Sequence, residues 1–279
     1  MEPDEPPQTD GQFEQLRRLI RAEAGISLPP AKRLMVETRL RRRVKELGVA
    51  SFREYCRHVT GAGPGSEELV RLLDAVSTNK TDFFREPAHF AFLRDRLLPE
   101  WCARHSGRTF RIWSAGCSSG QEPYTMAMVL SDYSRGERGF SFEILATDLN
   151  TEVLEEARRA VYRSAEAEKI PAEFRRQYLL ASKNRASGLI RVAPEIRRLV
   201  EFRRLNFIEE DYGLADYFDA IFCRNVIIYF DRETQSRILS RLARCLRPGG
   251  CLFMGHAESL HGFQLPLAPA APTVYRRAD

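Results

Sequence analysis

The stretch Arg111-Ile-Trp-Ser-Ala-Gly-Cys-Ser-Ser-Gly-Gln-Glu-Pro-Tyr124 decides the fold. A short apolar run, Phe110 to Trp113, breaks into a loop of glycine and small residues. The loop leads straight into an amphipathic segment, Tyr124-Thr-Met-Ala-Met-Val-Leu130. Strand, glycine turn and helix in that order are how an α/β protein offers backbone N–H groups and a helix N-terminus to a nucleotide-like ligand. Outward from this turn, strand patterns fall at Phe110–Ser114, Phe142–Ala146, Val200–Arg203, Ala220–Cys223 and Cys251–Met254. Helical patterns fall between them, at Pro123–Tyr133, Glu152–Ala160 and Asp231–Leu246, the last stopped by Pro248-Gly249-Gly250. Alternating strand and helix predicts a mostly parallel sheet with helices on both faces. Residues 165–200 break the rhythm, and Leu189–Val192 and Leu199–Phe202 read as short antiparallel strands of an inserted β subdomain.

Upstream the period changes. Phe13, Leu16, Leu19 and Ile20 follow helical spacing, and Gly25 with Pro29-Pro30 ends that helix. A second helix fits Ala31–Leu47, with Val36, Leu40, Val44 and Leu47 on one face. Ser51 can cap a third, with Phe52, Tyr55, Cys56 and Val59 turned inward. Thr60–Ser66 is loop, and Glu67–Ala75 is helical again. No strand pattern precedes residue 100. The expected division is a disordered leader over 1–10, an all-α N-terminal domain over 11–76, a linker over 77–90, and a sheet domain over 91–279 with a small β subdomain at 165–200.

The 279 residues suffice for a buried core. The longest apolar runs, such as Val226–Phe230, are far too short to span a bilayer, and the acidic, proline-rich start is not a signal peptide. The six cysteines have neither disulfide nor metal-ligand spacing, so reduced thiols in a cytoplasmic protein are expected and no metal site. Net charge is +5, and the window from Lys32 to Arg57 alone holds nine cations against three acids. The basic character is therefore local. Arg39 and Arg43, four apart on the second helix, form a stripe that reads either as a solvated face or as a contact for an acidic partner.

Several residues carry candidate chemistry. Gly116 and Gly120 flank the loop, which is not the GxGxxG dinucleotide pattern. Asp148, at the carboxyl end of the next strand, can accept the hydroxyls of an adenosine ribose, or merely cap the helix starting at Thr151. Glu122 suits a helix N-terminus electrostatically, yet an anion there repels phosphate. A cofactor bearing an ammonium or sulfonium, as S-adenosylmethionine does, matches it better than NAD or ATP. Ser77–Pro87 is either a linker with a Phe83-Phe84 plug or the wall of a pocket at the domain seam, lined by Asn79, Thr81 and Arg85. Arg224 and Asn225 follow a buried strand at its carboxyl end, where open α/β sheets place ligands.

In order, Ser77–Phe90, Arg111–Leu130, Leu145–Tyr162, Phe218–Phe230 and Leu246–Ser259 resemble blocks of the CheR family of chemotaxis receptor methyltransferases. The likeness extends over roughly residues 13–279. It implies a Rossmann-like, S-adenosylmethionine-dependent sheet domain behind an all-α domain, methylating glutamates on the cytoplasmic helices of chemoreceptors. S-adenosylhomocysteine would be the product. By resemblance, Asn79, Thr81 and Arg85 match the family's TNxTxFFRE cofactor contacts, and Gly116 and Glu122 its glycine loop. Asp148 matches the ribose acid, and Asn206 and Phe207 the pair beside the adenine. Cys223 and Arg224 match a strand-end pair acting largely through backbone, and Tyr229 a residue near the transferred methyl. Arg39 and Lys45, with Arg43 beside them, fall where the family holds its receptor by positive charge. Gln121 stands where many members have Glu. The resemblance also implies a cytoplasmic enzyme recruited to membrane receptor arrays without inserting into the bilayer. Nothing marks whether the β subdomain docks a receptor tail.

A glutamate acceptor is already ionised near neutral pH, so in-line attack on a sulfonium methyl needs no general base, consistent with the lack of an evident catalytic His or Cys pair. Arg85 and Tyr229 are the candidates for orienting the acceptor, although Tyr229 also reads as a core phenol. Two rival classes remain. A nucleic-acid methyltransferase would explain the basic patch, but Arg224-Asn-Val-Ile stands where Asn/Asp-Pro-Pro-Tyr is expected, and the patch lacks stacking aromatics. A non-catalytic scaffold need not keep Asn79, Arg85, Glu122 and Asp148.

Overall fold

The computed structural model describes residues 10–63, 65–214 and 217–278; the leader expected over 1–10 lies almost wholly outside them. Helices α1 (Asp10–Ala24), α2 (Arg33–Glu46), α3 (Phe52–Gly61) and α4 (Glu67–Val76) come first. They share one apolar core, with Leu16, Ile20, Val36, Leu40, Tyr55 and Leu72 fully buried. The expected punctuation is visible locally. The Ser51 hydroxyl accepts the Glu54 N–H and caps α3, and the Ser66 hydroxyl accepts the Leu69 N–H and caps α4.

After the linker, α5 (Pro87–Phe92) and α6 (Leu98–Arg104) lead into β1 (Thr109–Ala115) and α7 (Gln121–Gly136). The chain continues through β2 (Ser141–Asp148), α8 (Thr151–Arg159), β3 (Val161–Arg163), α9 (Ala172–Tyr178), β4 (Leu179–Ala181), β5 (Leu189–Val192), α10 (Pro194–Arg197) and β6 (Val200–Arg204). It ends with β7 (Phe218–Cys223), α11 (Arg232–Cys245), β8 (Leu246–Met254), β9 (Leu267–Ala271) and β10 (Val274–Arg277).

The main sheet runs β6-β2-β1-β7-β8-β10-β9. The first five strands pair in parallel and the last two antiparallel. Strand order reverses between β1 and β7, the switch point at which open α/β sheets bind ligands beyond their carboxyl ends. Side chains alternate between two apolar layers, as a pleat requires. Phe110, Ile112 and Phe222 face one layer, which also holds the inward face of α7, whereas Trp113, Ile221 and Leu252 face the layer packed on α11. A register shift between Phe218 and Ala220 turns Phe218 to the α11 side.

Three expectations are corrected. Residues 199–202 do not join an antiparallel insertion: Val200 pairs with Ile144 in parallel register inside the main sheet. The small sheet is instead β3-β5-β4, so it opens at Val161, ahead of residue 165. Pro248-Gly249-Gly250 is not a stop following the helix but lies within β8, which starts as soon as α11 ends. The hairpin β9–β10 was not foreseen because Pro269 sits inside it. Such a residue is tolerated only on an edge strand, and β9 is one.

Candidate active site

The turn after β1 is built from backbone that only certain residues adopt. Gly116 and Gly120 have φ of +91° and +96°, and a Cβ on Gly116 would lie 2.4 Å from Val226 Cγ2. The N–H groups of Gly116 and Cys117 both donate to the Thr147 carbonyl, at 2.8 and 2.9 Å. The Ser118 N–H donates to Asp148 Oδ2 at 2.8 Å, while Asp148 Oδ1 accepts the Asn150 N–H at 3.0 Å. Asp148 is therefore not the cap of α8. Asn150 is, accepting the Val153 N–H through its side chain. The carboxylate keeps acceptor capacity for a further donor. Burial pushes the Asp148 carboxyl up against the pull of these N–H groups.

A cavity of about 520 Å³ opens above this turn, between the helical domain and the carboxyl ends of β1, β2 and β7. Asn79, Thr81, Arg85, Gly116, Glu122, Asp148, Asn206, Phe207, Arg224 and Tyr229 all line it. The volume is of the size that holds a nucleoside-sized ligand. Cys223 does not reach the cavity. It is fully buried in β7, which raises its thiol well above the ordinary range.

At the floor, the Glu122 carboxylate accepts the Ser114 hydroxyl at 2.7 Å and lies 3.4 Å from Arg224 Nε. Burial raises the Glu122 carboxyl, and the Arg224 guanidinium opposes this. Arg224 itself is enclosed. Its Nη2 donates to the Arg85 carbonyl at 2.6 Å, and the rings of Phe90 and Phe222 lie 5.6 and 5.8 Å from its Cζ. Arg85 is held in turn by donating from Nη1 to the Lys80 carbonyl at 3.0 Å. The segment Ser77–Pro87 is thus both plug and wall: Phe83 is fully buried while Asn79, Thr81 and Arg85 face the cavity.

The helical domain is clasped to the sheet on both sides of the opening. On one side the Thr151 N–H and hydroxyl donate to the buried Asp74 carboxylate at 2.8 and 2.6 Å, and Asn150 Nδ2 donates to the Asp74 carbonyl at 2.9 Å. On the other, Asn206 Nδ2 donates to the Glu23 carbonyl at 2.6 Å, the Ser27 N–H donates to the Tyr229 carbonyl at 2.8 Å, and Arg21 pairs with Asp231 at 2.7 Å. Sequence reasoning missed Asp74, which reads as one more polar position on a helix. It also missed Glu258, whose buried carboxylate accepts the N–H groups of Asn225, Val226, Ile227 and Gly255 at 2.7–2.9 Å. Three of those N–H groups lie more than 30 residues from Glu258 in the chain, so spacing carries no sign of them. Together they fix the turn, with Asn225 at φ +59°, that leads to Tyr229.

Arg39, Arg43 and Lys45 lie away from the cavity, and two of them are not the free cations their spacing suggested. Arg39 Nη1 donates to the carbonyls of Val76 and Ser77 at 2.8 and 2.7 Å, bracing the start of the linker. Arg43 pairs with the buried Glu68 at 2.6 Å and with Glu46 at 3.0 Å. Lys45 is exposed.

A family model described as "CheR methyltransferase, SAM binding domain" matches residues 79–274, and one described as "CheR methyltransferase, all-alpha domain" matches residues 11–77. The chain is 41% identical to chemotaxis protein methyltransferase 2 of Pseudomonas aeruginosa, over 95% of this chain and 92% of that protein. It is 38% identical to the chemotaxis protein methyltransferase of Escherichia coli, over 96% and 91% respectively. It is 39% identical to that of Salmonella typhimurium, over 96% and 90%.

Proposed function

This chain belongs to the CheR methyltransferase family, and from that premise we propose that its cavity seats S-adenosylmethionine so that the methyl group faces a glutamate side chain of a chemoreceptor. The observation that carries the reading is the pair of carboxylates, Glu122 and Asp148, lining one cavity around a glycine turn too tight for any side chain at Gly116. When bound, the cofactor supplies a methyl group on a positively charged sulfur. The residues on hand suit it. Asp148 offers its carboxylate oxygens to the ribose hydroxyls, Asn206 and Phe207 border the adenine, and Glu122 balances the positive charge of the methionine end. Asn79 and Thr81 wall the cavity from the linker side, and Cys223 contributes no side chain.

An acceptor carboxylate with pKa near about 4.3 is ionised before it arrives, so the enzyme has no proton to remove. Its contribution is alignment and exclusion of water. Well-oriented reactants gain as much as about 7–11 kcal/mol over free collision. Attack by an anion on a cationic methyl donor also disperses charge, which a dry cavity favours. Arg85, fixed through Lys80, and Tyr229, fixed through the turn that Glu258 holds, orient the acceptor. The product would be a glutamyl methyl ester made for chemosensory adaptation.

No helix among the described residues is long and apolar enough to cross a membrane. The receptor's cytoplasmic part is the proposed partner, reached at the membrane through protein contact. Lys45 on α2 presents charge to it, while Arg39 and Arg43 keep α2 seated on α4. Incubating the enzyme with labelled cofactor and receptor-rich membranes tests the reading. Label released as methanol by base identifies carboxyl methyl esters; label resisting base, or recovered on nucleic acid, refutes it.

A further inference from the structure

Behind Arg224, three side chains that the methyl-transfer reading leaves without a task converge. Glu86 precedes α5 with φ +55°, His89 lies three residues on, and His256 follows the end of β8. The left-handed backbone at Glu86, just ahead of the helix, brings its carboxylate beside the His89 ring. His89 Nδ1 lies 3.5 Å from Glu86 Oε2, His256 Nε2 lies 4.0 Å from the same oxygen, and the three ligand atoms all fall within 4.8 Å of one another.

The polarity of the cluster calls for a cation. Glu86 Oε1 is occupied, accepting the His256 N–H at 3.2 Å, but Glu86 Oε2 is buried and accepts no hydrogen bond. His89 Nδ1 is buried and equally without a partner. The other ring nitrogen of His89, Nε2, lies 2.8 Å from the Thr273 hydroxyl. With the proton on Nε2, donated to the Thr273 hydroxyl, the Nδ1 lone pair is free for a cation. In that tautomer two buried acceptors, Glu86 Oε2 and His89 Nδ1, face each other with no donor between them, an arrangement that a bridging positive centre relieves. Arg224 Nε, at 3.6 Å from Glu86 Oε2, is too far to hydrogen-bond and is shared with Glu122.

We propose that Glu86, His89 and His256 form a binding site for a divalent transition metal of the zinc type. Two imidazoles and one carboxylate are a ligand set zinc uses when it keeps an open coordination position. Tetrahedral ligands about 2.0–2.1 Å from zinc stand about 3.3 Å apart, so Glu86 and His89 are almost in place. His256, 61% exposed, has the freedom to close the rest. Thr273 is the outer partner that fixes the His89 tautomer. The hard cations magnesium and calcium prefer oxygen ligands and are excluded. Sequence spacing hid the set because His256 comes from a loop at the far end of the chain.

The site stands independently of the proposed methyl transfer and is tested without it. Cobalt(II) is titrated into the full, chelator-stripped chain while visible absorption is followed, then displaced with zinc. The site requires one cobalt per chain, ligand-field bands without the near-ultraviolet band of a thiolate, and displacement by zinc. His256→Ala, a change on the surface, should weaken uptake at least tenfold. Absence of uptake, undiminished uptake by H256A, or a thiolate band tracing the metal to cysteines would each overturn the assignment.

Discussion

Arg224 Nε stands 3.4 Å from Glu122 Oε2, so the cavity floor is a guanidinium and a carboxylate that are both largely removed from water. The pair is not a simple source of stability. Burial raises the Glu122 carboxyl even with Arg224 beside it, and such pairs often do no more than offset their own desolvation. Glu122→Gln keeps the shape and an acceptor for Ser114, and Arg224 keeps Glu86 at 3.6 Å. Removing one partner of a buried pair costs about 3–5 kcal/mol when nothing offsets the other, and Glu86 offsets part of it, so urea unfolding should lose no more than about 3 kcal/mol. Affinity for S-adenosylhomocysteine should fall at least tenfold, because the ammonium of the methionine end loses its counter-charge. Unchanged affinity would remove Glu122 from the site.

The clasp at Asp74 makes a second prediction. One buried carboxylate takes both the Thr151 N–H and its hydroxyl. Asp74→Ala orphans the N–H at the start of α8 and should cost about 1–3 kcal/mol. The readout that separates a clasp from mere helix packing is proteolysis of the linker around Ser77–Lys80, which should quicken in D74A at denaturant concentrations where the sheet domain stays folded. A uniform loss of protection throughout the chain would count against it.

His89 gives a dependence on pH with a definite sign. Its pKa falls from 6.5 to about 4 on folding, so the unfolded chain takes up a proton that the folded chain refuses. The contribution is complete above about 6.5 and is lost as pH falls toward about 4. Between pH about 7 and about 5 this amounts to roughly 2 kcal/mol. The raised carboxyls of Glu122, Asp148 and Glu258 act in the opposite sense, so the comparison must be between wild type and His89→Gln, in chelator. The stability gap between the two should shrink by that amount as pH is lowered; a constant gap contradicts the assignment.

Along α2, charge reversal should have two different outcomes. Arg43→Glu faces the buried Glu68 and should unfold the helical domain at lower urea, by about 1–3 kcal/mol or more. Lys45→Glu, on the exposed side, should leave stability within about 0.5 kcal/mol and raise the KM for receptor several-fold with cofactor affinity intact. If K45E methylates receptor with the wild-type KM, Lys45 takes no part in docking.

Much of the fold was legible because it is written in short-range pattern. Ser51, Ser66 and the glycines at 116 and 120 act on backbone within a few residues of themselves, and the apolar alternation of β1, β2 and β7 fixes both faces of the sheet. What stayed hidden is long-range. Asp74, Glu258 and the partners of Arg39 and Arg43 are decided by backbone or carboxylate groups brought in from elsewhere in the chain. Charge spacing on α2 therefore read as a free stripe where the structure has internal braces. Asp148 is ambiguous in the sequence for a local reason: Asn150, two residues on, is an equally good cap, and it holds the capping position.

On the proposed reading Asp148, held by the Ser118 and Asn150 N–H groups, accepts the ribose hydroxyls of a bound nucleoside. Isothermal titration with S-adenosylhomocysteine tests it most directly, comparing wild type with Asp148→Asn. The wild type should bind one equivalent per chain, and D148N should bind at least tenfold more weakly, with unfolding still cooperative. Equal affinity in D148N, or no heat of binding in the wild type, would contradict it.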